Sequence, residues 1–226
     1  MKKFFSILCI ALSFACTAFA QSGEGIKERK QLARESVKEL NSRAVKLARK
    51  EAKALQKEGW TVSPGQLPID KQLDKLYKLY YEYDADGMPS YIVGESRSTS
   101  NLYDAAKMQA LNNAKVELAG MIETEVTALT ESTVSNNMLS REDATFINNA
   151  VRTSKTLIVQ NLGRTLVVLD CQRPVGSNQT EVCVRVAYKV RSALQTAGEV
   201  IKAQLAASGH EMDSQVDKVW SGVDNL

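Results

Sequence analysis

The stretch TLVVLDCQRPVGSNQTEVCVRVAYKV, residues 165–190, decides how the chain is read. Its two halves alternate apolar and polar residues, and Pro174 to Gln179 supplies turn chemistry between them. That is a β-hairpin. Opposed residues of an antiparallel pair have numbers of constant sum. A turn centred on Ser177 therefore sets Cys171 against Cys183, Leu169 against Arg185 and Val168 against Val186. Val168, Val182, Val184 and Val186 then share one apolar face. Opposed Cβ atoms lie about 4.5–5.5 Å apart, near disulfide reach, so a Cys171–Cys183 bridge is expected across the hairpin.

Helices flank this hairpin on both sides. Residues 191–208 place Leu194, Ala197, Ile201 and Leu205 on one side of a helix. Residues 140–161 begin with Ser140-Arg141-Glu142-Asp143, a helix start signal, and end at Gly163. Within 101–130, Leu111, Leu118, Ile122, Val126 and Leu129 form an apolar stripe, with Asn101 as the expected cap. Ala106, Ala110 and Ala114 form a second ridge, small enough for another backbone to approach. The tail from Glu211 onward is acidic and is expected to be loosely held.

Upstream, residues 79–98 read as a first hairpin. LYYEY is rich in strand formers, Asp84 to Pro89 is turn-like, and Tyr91-Ile92-Val93 restarts a strand. Gly94 inside that strand signals a bulge or a close backbone approach. Ile69, Leu73, Leu76 and Tyr77 suggest a short helix, and residues 59–70 form a breaker-rich connector holding Trp60 as a buried anchor.

Residues 24–58 carry eleven Lys/Arg and six Glu without a proline. Ala33, Val37, Leu40, Ala44 and Leu47 step by four and three, a heptad seam. We read a long helix with a solvated basic face, packed on the domain, on the final helix or on a second copy.

Met1 to Ala20 reads MKKFFSILCIALSFACTAFA: two lysines, a short apolar core and an Ala18-Phe19-Ala20 cleavage signal, with Gln21 as the new N-terminus. The apolar core is too short to span a bilayer comfortably. A lipid anchor at Cys16 is disfavoured, because Ser13 and Phe14 stand where lipoprotein signals carry an aliphatic and a small residue. Cleavage removes Lys2, Lys3, Cys9 and Cys16 from a chain of 226 residues with formal charge +3. The mature charge is +1, and the two cysteines left meet an oxidising compartment.

Composition excludes much chemistry. The chain has a single histidine, His210, so sites needing two imidazoles are absent. His210 is read as a solvated residue near the tail. No nucleophile-elbow, Walker or dinucleotide-binding motif occurs. Asp170 in its strand is read as hydrogen-bonded structure. A mature charge near neutral, with Glu rather than aromatics among the basic residues, argues against nucleic acid. We expect no catalytic, cofactor or metal residues and no cofactor.

Tyr91-Ile92-Val93-Gly94-Glu95-Ser96, Ala105-Ala106-Lys107-Met108-Gln109-Ala110 and Ala114-Lys115-Val116-Glu117-Leu118-Ala119, followed by a Val-rich hairpin, carry a resemblance. The segment 76–190 resembles exported envelope proteins of Gram-negative anaerobes. More distantly it is similar to the Lpp-twenty-like lipoproteins and to the N-terminal domain of the flagellar T protein. The resemblance implies an α+β domain with an envelope-associated, non-enzymatic role.

The organisation expected is a signal peptide (1–20), a long basic amphipathic helix (21–58), a linker and short helix (59–75), an α+β domain (76–190) and a C-terminal helix with an acidic tail (191–226). The fold class is α+β, with two antiparallel hairpins forming a sheet packed by amphipathic helices. The function expected is that of an exported periplasmic or envelope-associated protein working through an envelope protein partner or self-association. The alternative is a small-ligand binder or enzyme using a groove near Gly94 and Arg97.

Overall fold

The computed structural model describes residues 42–84 and 89–224. The signal segment, Cys16, Ala20, Gln21, the seam residues Ala33, Val37 and Leu40, and the turn residues 85–88 lie outside the described residues. A first helix, α1, occupies 42–57. Then follow α2 (Ile69–Tyr80), β1 (Tyr91–Ser100), α3 (Tyr103–Ser135), α4 (Arg141–Thr153), α5 (Lys155–Asn161), β2 (Leu166–Val175), β3 (Gln179–Lys189), α6 (Val190–Ala207) and α7 (Asp213–Asp224).

The chain is α+β, but its sheet has three antiparallel strands in the order β1-β3-β2, not two hairpins. The expected strand at 79–83 does not form. Leu79 and Tyr80 complete α2, whose Ile69, Leu73 and Leu76 are buried at helical spacing. A short aromatic run fits either period, and tertiary packing decides which one holds. What remains of that hairpin is a one-residue bridge between Tyr83 and Pro89. β1 pairs instead with β3, from Tyr91 opposite Lys189 to Ser100 opposite Thr180.

β2 and β3 pair about Ser177 as their turn chemistry predicts, with Cys171 opposite Cys183 and Leu169 opposite Arg185. Nearer the start of β2 the register shifts between Val167 and Leu169, so Val167, not Val168, faces Val186. The bulge turns Val168 to the same side as Leu169, away from Val184 and Val186.

Both faces of the sheet are covered. On one face Val182, Val184 and Val186 meet the Ala106, Ala110 and Ala114 ridge of α3, with Leu118 and Ile122 beyond. These small side chains let α3 lie close to the strands. A Cβ on Gly94 would sit 2.3 Å from the Ala114 carbonyl oxygen, so this position requires glycine for close approach. The other face is covered by α1 and α2, through Ala48, Ala52, Leu55, Trp60, Leu73 and Leu76. Within α1 the buried line is Ala44, Ala48 and Ala52, while Leu47 is exposed. The contact therefore follows a ridge of four-residue steps rather than the heptad seam, since alanines bring the helix close to a sheet.

α3 extends past the sheet, and its second half packs on α4, α5 and α7. Asn101 does not cap it. Leu102 holds the cap position, and Ser100 Oγ accepts the Leu102 N–H. The expected single helix over 140–161 is two helices, α4 and α5, meeting at the buried Ser154. Ser140 does cap α4, accepting the Asp143 N–H at 3.0 Å.

The tail is not loose. α7 buries Val216, Val219 and Trp220. Trp220 donates its indole N–H to the Leu194 carbonyl at 2.7 Å, over Gly198, where a Cβ would meet the indole nitrogen at 2.8 Å. His210 is likewise no solvated residue: its ring packs 4.5 Å from that of Phe146. Among the described residues no helix is long and apolar enough to cross a membrane.

Candidate functional site

Alternation along the strands sends Glu95 and Arg97 of β1, Cys183 and Arg185 of β3, and Cys171 and Arg173 of β2 to the face beneath α1 and α2. Arg185 is the hub. Its side chain is 12% exposed and bonds Glu51 of α1 at 2.7 Å and Glu95 at 2.6 Å. Tyr77 of α2 donates to the same Glu51 at 2.8 Å. One guanidinium thus ties the sheet to α1, and through Glu51 to α2. Burial pulls its pKa down, but the bonds to Glu51 and Glu95 more than offset this, and it stays charged.

Burial, followed by the hydrogen bond to Glu51, pushes the Tyr77 hydroxyl from 10.0 up to about 12. Burial pulls Lys107 down, but its hydrogen bonds and charge attraction to Asp170 and Tyr103 together more than offset this and hold it above its ordinary value. The sign follows. Both folded-state values lie above the unfolded ones, so their stabilisation is complete below about pH 10 and is lost as pH rises toward 12. We expect melting temperature to fall steeply over that window. Tyr77→Phe should blunt the fall; an unchanged alkaline profile in that variant would remove Tyr77 from the account.

Trp60 lies under two cations, Arg173 at 4.6 Å and Arg97 at 5.4 Å from its ring centroid. Arg173 also bonds Glu181 at 2.7 Å, and Arg97 lies 3.7 Å from Glu95. Each cation stacks on the anchor that closes the α1–α2 corner.

Cys171 and Cys183 are buried in the centre of this face as thiols. The neighbouring Cys183 sulfur, together with burial, pushes the Cys171 thiol up, and the Cys183 thiol donates to Glu95 Oε1 at 3.8 Å. Gln172 exchanges both backbone hydrogen bonds with Thr61 on the outer edge of β2, at 2.8 Å each. Cys171 therefore directs its own toward β3, which makes Cys171–Cys183 a hydrogen-bonded pair, the kind with the wider Cβ separation. A bridge there must draw the strands together.

A second polar cluster lies at the edge of β2. The Asp170 carboxylate receives Lys107 Nζ at 2.6 Å, Gln66 Nε2 at 2.8 Å and the Tyr103 hydroxyl at 3.2 Å, and the Asp170 N–H donates to Gln72 Oε1 at 2.7 Å. These groups border a cleft of about 320 Å³ whose apolar wall is Leu67, Val167 and Val168. Asp170 is thus hydrogen-bonded structure joining α2, α3 and the connector. Another cleft, about 420 Å³, opens between α5 and α6 beside Leu157, Asn161 and Glu199.

Among the described residues Gly94 and Arg97 do not line a common groove. Their numbers differ in parity, so they lie on opposite faces: Gly94 is pressed on α3, and Arg97 stands over Trp60. No motif or spacing gives Glu51, Arg185 or Lys107 a role in the sequence. The one signal for Arg185 is its place in the run Val182 to Val186, on the strand face that carries Cys183. Among the described residues no group of three or more His, Cys, Asp or Glu is placed to hold a metal ion.

Comparison with protein-family models, with curated proteins and with solved structures returned no match.

Proposed function

We propose that this chain is an exported cell-envelope protein with a non-enzymatic role in protein–protein contact or structure. The observation that carries the reading is the contrast between the two edges of the sheet. The β2 edge is blunted four ways, by the bulge at Val168, by Pro174, by the Thr61 bridge and by the Gln72 amide. The β1 edge is treated differently. Glu95 directs its N–H away from β3, to Glu117 Oε2 at 2.6 Å. By alternation Val93, Arg97 and Thr99 point their N–H and C=O groups the same way, and among the described residues these have no backbone partner. An unpaired strand edge is a template for another chain. The export part of the proposal rests on the two lysines, the short apolar core and the Ala18-Phe19-Ala20 cleavage signal in residues 1–20.

Export and the cysteine bridge are tested together by the intact mass of protein isolated from its native envelope. The expected mass lacks residues 1–20 and two hydrogen atoms, the latter restored by reductant because a bridge in a wide pair is readily opened. A retained signal segment or a lipid on Cys16 would overturn the export reading. Two free thiols after denaturation without reductant would overturn the bridge. The contact reading is tested by Thr99→Pro, which removes an outward N–H at an exposed position without touching the β1–β3 ladder. The wild type is expected to migrate in a high-mass envelope fraction, and the variant should leave it and migrate alone; unchanged migration would count against β1 as a contact.

A further inference from the structure

Resting on that reading of β1, we infer that the occupant of its open edge is β1 of a second copy, paired antiparallel about a two-fold axis at Ser96. Charge complementarity along the strand selects this partner and this register. The outward-bonding residues are Val93, Glu95, Arg97 and Thr99. A two-fold pairing centred on Glu95 would set two glutamates in apposition, and one centred on Arg97 would set two arginines in apposition. Centred on Ser96, each Glu95 faces the partner's Arg97, and Val93 faces the partner's Thr99. The outward groups of both strands then meet, as an antiparallel ladder requires.

The result is a continuous six-stranded sheet in the order β2-β3-β1-β1-β3-β2. It leaves no open strand edge, because both of its ends are the blunted β2. Two-fold symmetry makes the interface self-complementary and closes it at a dimer. The nearby flank of α3 suits this approach: Gln109 and Glu117, which reach β1 through Ser98 and Glu95, are exposed, as are Ala105 and Asn113 in line with them, and none is bulky and apolar. Glu117 is the gate, since its carboxylate occupies the Glu95 N–H that the partner strand must receive.

Symmetry supplies the test. Residues at the axis meet their own copies, and Ser96 belongs to a non-hydrogen-bonded position, the closer kind of pair. Purified mature Ser96→Cys should form a disulfide-linked dimer under mild oxidation, whereas Thr99→Cys, which faces the partner's Val93, should not. Sedimentation of the wild type should show a monomer–dimer equilibrium. Arg97→Glu, which sets like charges against each other twice, should weaken it roughly tenfold or more. Glu117→Ala, which frees the Glu95 N–H, should tighten it. A wild-type protein that stays monomeric, or a Thr99→Cys protein that cross-links as well as Ser96→Cys, would overturn the dimer or its register. If the protein is monomeric yet Thr99→Pro still leaves the high-mass envelope fraction, the dimer fails while the contact reading stands, with a different protein on the β1 edge.

Discussion

Gly94→Ala is expected to destabilise the protein by about 3 kcal/mol, at the upper end of what overpacking a core costs. The added Cβ would lie 2.3 Å from the Ala114 carbonyl oxygen and 3.1 Å from Leu118 Cγ. The nearer atom is backbone within a 33-residue helix, so no rotamer change relieves it. α3 must lift from β1, which opens its contact with Val184 and Val186 as well. For a domain of this size the melting temperature should drop by roughly 6–12 °C. Leu118→Ala should not rescue it, because the worse clash is with the main chain. Ser96→Ala, on the same strand and the same face, should cost under about 1 kcal/mol. A Gly94→Ala protein that melts like the wild type would show that α3 does not sit on β1 as described.

Arg185→Met should cost a similar amount, about 3 kcal/mol, by a different mechanism. The substitution keeps most of the side-chain volume and removes the charge. Glu51 and Glu95 are left facing each other under α1 with no cation between them, and Tyr77 loses the order of its acceptor. Both carboxylates keep some contact with water, 24% and 36% exposed, which holds the cost at the low end for a broken buried pair. The diagnostic variant is the triple Arg185→Met, Glu51→Gln, Glu95→Gln, which should recover most of the loss, since no unpaired carboxylate remains and the half-exposed Arg97 keeps its contact with water. If the triple is no more stable than the single, packing rather than charge is what Arg185 contributes. Hydrogen exchange in residues 42–57 should rise in the single variant, because Glu51 is the polar tie that holds α1 to the sheet.

The features legible from residue order are local ones. The β2–β3 register from Leu169 to Val175 follows from the turn about Ser177, because alternation and turn chemistry lie within one hairpin, whereas the bulge at Val168 left no mark in that pattern. The start of α4 at Ser140 follows from a hydroxyl three residues from the N–H it accepts. The close approach at Gly94, the small ridge of α3 and the burial of Trp60 are legible because a missing or an outsized side chain marks its own position.

The remaining features depend on contacts between residues far apart along the chain. LYYEY carries strand propensity, yet Leu79 and Tyr80 are helical because α2 buries Ile69, Leu73 and Leu76 on the sheet. β1 left that neighbour for β3, a partner 90 residues away at the Glu95–Arg185 bond. Thr61 closes the β2 edge across 111 residues. α7 is specified less by its own polar sequence than by Gly198, whose bare surface receives Trp220. Charge pairs such as Glu51–Arg185 leave no local pattern, since Coulomb attraction depends on where the backbone brings two groups and not on their spacing in sequence.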